Sequence, residues 1–99
     1  MPDNILDVVK LRKSVGLKIE EFDEELKDLE STAIKKMILS GINSSKIVKE
    51  DKFVVTTVLA YVKANFRFTD ESIAVRYQQV FEENKNYMRS TKEYTQKGE

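Results

Sequence analysis

The 99-residue sequence predicts an all-α fold: a compact four-helix domain with a central apolar third helix and a polar C-terminal tail. Three observations predict it. Residues 53–66 form an apolar run too long for a typical strand and too polar to span a membrane. Val55, Leu59, Val62 and Phe66 make one helical stripe there, with Val54, Val58, Tyr61 and Asn65 in the stripe beside it. Glycines at 16 and 41 stand where helix-period patterns stop, and carboxylates gather where such patterns begin. The only polar ribbon on the central segment is Lys49, Lys52, Thr56, Lys63 and Arg67, which fall within about 60° at 3.6 residues per turn. A helix this apolar is covered by others on most sides.

Asp3 is the expected N-cap of the first helix, which runs through Ile5, Leu6, Val8, Val9 and Arg12 and stops at Gly16. The second helix is expected over residues 20–40, with an inward face of Phe22, Leu26, Leu29, Ala33 and Met37 and neighbours Ile34 and Ile38. Its carboxylates crowd the first turns, where the helix dipole favours them, and Lys35 and Lys36 sit nearer its end. Gly41 followed by Ile42 reads as a Schellman cap, and Asn43, Ser44 and Ser45 as a turn. Ile47 and Val48 are expected to tuck the loop onto the core, and Glu50 and Asp51 to start the third helix. Thr69 caps the fourth, with Asp70 and Glu71 in its first turn and Ile73, Tyr77, Val80, Phe81, Tyr87 and Met88 facing inward. The pattern stops after Ser90. Residues 1–90 are therefore read as the helical domain and 91–99 as a polar tail with one aromatic, Tyr94, and no internal partner.

Composition narrows the chemistry. With no Cys and no His the chain has no thiol, no imidazole base and none of the usual zinc ligands, so no catalytic residue, cofactor or metal site is expected. No nucleophile–base pair, glycine-rich phosphate loop or metal motif stands in the sequence. The first residues include Asp3 and Asp7 and lack the apolar core of a signal peptide, and no run reaches the ~18 apolar residues of a membrane helix. The expectation is a protein of the cytosol or of a particle assembled there.

Formal charge balances at 17 basic against 17 acidic residues, which gives the molecule no overall pull toward nucleic acid. The distribution is uneven. Residues 20–30 carry seven carboxylates against the single Lys27, while Lys10, Arg12, Lys13 and Lys18 precede them and the Lys49, Lys52, Lys63 and Arg67 ribbon follows. Glu20/Glu24, Glu21/Glu25 and Glu24/Asp28 are i,i+4 carboxylate pairs. A solvated helix face is their default reading, since oxygen-only cation sites usually draw ligands from a shaped loop. Solvent-facing lysines are the default for the ribbon, and core for residues 53–66.

The residues Leu59-Ala60-Tyr61-Val62-Lys63-Ala64-Asn65-Phe66, preceded by a short acidic loop and followed by Phe68-Thr69-Asp70-Glu71, resemble the third helix of the small head-tail connector, or adaptor, proteins of long-tailed bacteriophages and prophages. Residues 4–12 resemble that family's first helix, Glu21-Phe22-Asp23-Glu24-Glu25-Leu26 the acidic start of its second, and Arg76-Tyr77-Gln78-Gln79-Val80-Phe81-Glu82 the middle of its last. The resemblance covers roughly residues 4–94. It rests on patterns of helix surface and not on chemical signatures.

The resemblance implies a structural protein of the virion, at the head-tail interface, assembled in the host cytoplasm. It implies a homo-oligomeric ring, a dodecamer in the particle, that sits under the portal protein and extends the DNA exit channel. It also implies a surface for the head-closure or tail protein. DNA would pass without specific binding, and no membrane is involved. A head-to-tail ring needs two unlike surfaces. The chain offers an acidic one at Glu20, Glu21, Glu24 and Asp28 and a basic one at Lys49, Lys52 and Lys63. Lys92, Tyr94 and Lys97 are the expected portal-docking residues, with Tyr94 as aromatic anchor. The alternative is a small DNA-binding regulator of helix-turn-helix type, which is weakened by the lack of a helix with a polar, basic reading face.

Overall fold

Asp7, and not Asp3, opens the first helix. In the computed structural model, which describes residues 4–96, α1 spans Val8–Ser14 and the Asp7 carboxylate accepts from the Val9 amide at 2.8 Å. Asp3 lies outside the described residues. Ile5 and Leu6, expected within the helix, precede it as non-helical chain laid against the core. The reason is an acceptor elsewhere in the sequence: the Glu30 carboxylate receives the Ile5 and Leu6 amides, both at 2.8 Å, and the Asn4 side-chain amide at 2.7 Å. Gly16 then stops α1 as expected. At φ +76° it allows the Leu17 amide to reach the Arg12 carbonyl at 2.9 Å, and its own amide reaches Lys13, the paired bonds of a Schellman motif.

Helix α2 spans Asp23–Leu39 and begins three residues later than the carboxylate run suggests. Glu20 and Glu21 stand before it, and Asp23, Glu24 and Glu25 fill its first turn, where the exposed amide ends favour negative charge. Gly41 at φ +117° ends it, and Ile42 folds back to the Met37 carbonyl. Asn43 caps a single 3-10 turn over Ser44–Lys46 through its side chain. Ile47 is buried as expected, but Val48 points outward. Asp51 opens α3, Lys52–Asn65, with one carboxylate oxygen accepting from both Phe53 and Val54 amides. Asp70 opens α4, Glu71–Arg89, in place of the expected Thr69: its carboxylate accepts from the Ser72 amide and hydroxyl. A last turn, α5, spans Lys92–Thr95.

Helix α3 is central, as its composition predicts. It packs against α1, α2 and α4, and Val54, Val55, Thr57, Val58, Ala60, Tyr61 and Val62 are all buried. The Thr57 hydroxyl donates to the Phe53 carbonyl at 2.7 Å, and among the described residues no buried side-chain N or O lacks a hydrogen-bond partner. Two clusters divide the core by position along α3. Its first half meets Ala33, Ile34 and Met37 of α2 and Phe81 and Met88 of α4, while Val62 and Phe66 meet Leu11 and Leu26. Helices α2 and α4 therefore run antiparallel to α3. Side chains the size of Phe81 and Met88 contribute roughly 1.5–3 kcal/mol each when fully buried.

Only part of the expected inward face of α4 is inward. Phe81 and Met88 are fully buried, Tyr77 and Val80 are half-buried, and Ile73 and Tyr87 are exposed. The helix is longer than α3, 19 residues against 14, and besides α3 only the short α5 packs closely on it, so part of this face stays uncovered.

Candidate assembly surfaces

Antiparallel packing gives the elongated molecule, 40 Å by 25 Å by 19 Å, two ends of different chemistry. One end holds the start of α2, the end of α3 and the start of α4. There Glu20, Glu21, Glu24 and Asp28 are all exposed. The other three carboxylates of that run are used inside the fold. Asp23 takes Arg12 in a two-pronged ion pair at 2.7 and 2.6 Å, which holds its carboxyl below the ordinary range chiefly through the hydrogen bond. Glu25 takes the Arg67 guanidinium at 2.7 Å. Glu30 is turned inward and fully buried beneath the N-terminal segment.

The acidic flank is thus smaller than the sequence suggests, and its exposed members are the four expected ones. Because Glu20 and Glu21 precede α2, only Glu24 and Asp28 among those i,i+4 pairs share a helix face. Among the described residues no three acidic side chains converge to hold a metal ion.

The opposite end holds the end of α2, the loop to α3, the start of α3 and the end of α4. Residues 35–52 and 85–96 carry eight Lys and Arg against three Asp and Glu. Lys49 and Lys52 lie here and are exposed. Lys63 does not join them. It stands eleven residues along α3 from Lys52, about 16 Å at 1.5 Å per residue, so the three lysines form no single patch. Its ammonium sits 4.6 Å from the Tyr77 ring centroid and 3.4 Å from the phenol oxygen, a local cation–π contact on α4.

The C-terminal segment has an internal partner after all. Tyr94 is buried, with its ring 6.4 Å from Phe53, and its hydroxyl donates to the second oxygen of Asp51 at 2.9 Å. The Tyr94 carbonyl accepts from the Asn43 amide at 2.8 Å. Burial first, and then the bond to Asp51, push the phenol up to about 12. The ring is therefore a clasp on α3 and not an exposed anchor. Lys92 is exposed, and Lys97 lies outside the described residues.

Two interior contacts fall outside the pattern of the sequence. Glu30 belongs by position to the acidic run, although its spacing from Leu26, Ala33 and Ile34 puts it on the apolar face of α2, and a charge on that face is the signal that marks it. The Tyr94–Asp51 bond joins residues 43 apart in sequence and leaves no such signal.

Each end also leaves large apolar side chains exposed. Leu39 (76% exposed), Tyr87 and Val48 mark the basic end, and Phe68 (66% exposed), Ile73, Val75 and Ile19 the acidic end. Phe68 completes a group of rings with Phe22 and Phe66, every pair edge-to-face at 5.3 to 5.8 Å. For the helix-turn-helix alternative, the helix that follows the Asn43 turn is α3, which is covered by α1, α2 and α4 and so offers no reading face. Among the described residues no helix is long and apolar enough to cross a membrane.

A family model described as phage connector protein matches residues 5–95. No curated protein and no solved structure matches the chain.

Proposed function

Because this chain belongs to the phage connector protein family, a family of phage structural proteins that interact with other head and tail components, we propose that it closes into a ring beneath the portal, extends the DNA exit channel and presents a face to the head-closure or tail protein. The observation that supports the ring is a partial separation of charge: the end with the exposed carboxylates also holds Lys13, Lys63 and Arg67, while the opposite end is mostly basic. Glu20, Glu21, Glu24 and Asp28 stand at one end and Lys49 and Lys52 at the other. A heterologous contact between identical copies requires two unlike, complementary surfaces, and repeating it closes a ring when the rotation divides a full turn. Single exposed pairs contribute only about 0–1 kcal/mol, so the contact needs several of them together with apolar burial. Lys63, placed by Tyr77 near the acidic end, drops out of the basic set. The portal contact falls to the exposed Lys92 and its basic surroundings, with Tyr94 holding the segment in place from within.

Charge reversal tests the ring. Glu24→Lys with Asp28→Lys should block assembly in sedimentation velocity, Lys49→Glu with Lys52→Glu should block it equally, and mixing the two reversed proteins should restore it. Failure to restore would mean that these charges only solvate the helices.

A further inference from the structure

One carboxylate fastens the start of the described chain. Residues 4–6 form no helix, and both oxygens of Glu30 are committed to them. Oε1 accepts from the Asn4 side-chain amide at 2.7 Å, and Oε2 accepts from the Ile5 and Leu6 backbone amides at 2.8 Å each. The Asn4 side-chain amide also donates to the Lys27 carbonyl on α2 at 3.1 Å. Among the described residues no Lys or Arg pairs with Glu30, which is fully buried, so these N–H groups are what offsets its burial. Ile5 and Leu6 are half-buried, with Leu6 against both core clusters. The helix that follows is secured separately. Asp7 caps it through its side chain, and the Asp7 carbonyl takes the Lys10 and Leu11 amides.

We infer that residues 4–6 form a strap that opens and closes on α2 as one unit while the helices stay folded, with Glu30 as its lock. The buried carboxylate makes partial opening the costly state. Withdrawing one donor while the strap still covers Glu30 leaves a desolvated oxygen short of a partner, whereas full opening admits water to both oxygens at once. The strap therefore has two states and does not fray residue by residue. Its boundary lies between Leu6 and Asp7, because the bonds of the α1 cap all lie beyond that point. Opening gives up the burial of two half-buried side chains, far less than the core loses on unfolding. It uncovers the Glu30 carboxylate and the apolar surface beneath Leu6, so the strap changes the face that α2 shows without moving a helix.

Native-state hydrogen exchange on the full-length protein reads the two states. The Ile5 and Leu6 amides should open with one common free energy, below that of the Val58 and Phe81 amides in the core. Asn4→Ala leaves both backbone amides in place but removes one donor from the carboxylate they share. It should speed exchange at both by the same factor, about tenfold, the worth of a hydrogen bond to a charged group. Asn4 is exposed, so this variant keeps its fold even if a change at the buried Glu30 does not. Exchange of Ile5 and Leu6 only together with the core would make the segment an integral part of the domain and overturn the strap. Unequal opening of the two amides, or an Asn4→Ala variant in which they do not accelerate together, would show simple fraying and overturn it as well. None of these readouts depends on assembly, so the strap and the ring are tested separately.

Discussion

A charge at position 62 would have nowhere to be solvated. Val62 is fully buried with Leu11, Leu26 and Phe66, so Val62→Asp should cost several kcal/mol and unfold much of the protein. Lys63→Asp removes only the contact with Tyr77, worth about 0.5–1 kcal/mol, and should melt close to wild type by circular dichroism. Glu30 makes the opposite case, a carboxylate that belongs in the core. Glu30→Ala would leave the Ile5 and Leu6 amides without their acceptor, at a cost of roughly 2–3 kcal/mol, and hydrogen exchange at those two amides should accelerate before the rest of the core. Tyr94 sets an alkaline limit. Its phenol titrates at 10 when unfolded and at about 12 when folded, so the unfolded chain loses its proton first. The stabilisation is complete below pH 10 and is lost as pH rises from 10 to 12. Tyr94→Phe should flatten that decline in a series of denaturant melts.

Asp51 ties two elements together. One of its oxygens caps α3 and the other holds α5 through Tyr94, so the start of the central helix and the C-terminal turn share a single side chain. Asp51→Ala and Tyr94→Phe should each destabilise by about 1–2 kcal/mol, and the double variant should lose less than the sum. Full additivity in that cycle would show that the Tyr94 hydroxyl draws nothing from Asp51. A turn of four residues cannot hold itself in water, so α5 depends on this clasp and on burial of the ring. The Gly41 cap is fixed differently. No atom would block an added Cβ there, but φ +117° is open only to glycine, so Gly41→Ala should lower the melting temperature through backbone strain alone.

The contact proposed between copies brings exposed charges of opposite sign together. Contacts between exposed charges weaken as the Debye length shortens from about 10 Å at 0.1 M salt to 3 Å at 1 M, so assembly should shift toward monomer with added salt in sedimentation velocity. The basic end sits on a molecule of zero net charge, and affinity for duplex DNA scales with the phosphates neutralised. Retention of a short duplex should be weak and should vanish at physiological salt. A sequence-specific shift under those conditions would instead favour a regulator.

The sequence by itself determined the four longer helices, their order, the central place of α3 and the two glycine caps. These depend on side-chain period and on backbone freedom, which are local and act over three or four residues. It also marked the four acidic residues that remain exposed, together with Lys49 and Lys52. Only the tertiary structure decided which charges were already spoken for. Arg12 with Asp23, Arg67 with Glu25, Glu30 with the amides of residues 5 and 6, and Tyr94 with Asp51 are pairings across 11 to 43 positions. A hydrogen bond or ion pair is set by distance in space, and nothing in the one-dimensional pattern records which surfaces antiparallel packing brings together. The same packing sends Lys63 to the acidic end and gathers Phe22, Phe66 and Phe68 into one shelf, because the direction of each helix, and not its composition, assigns its residues to an end.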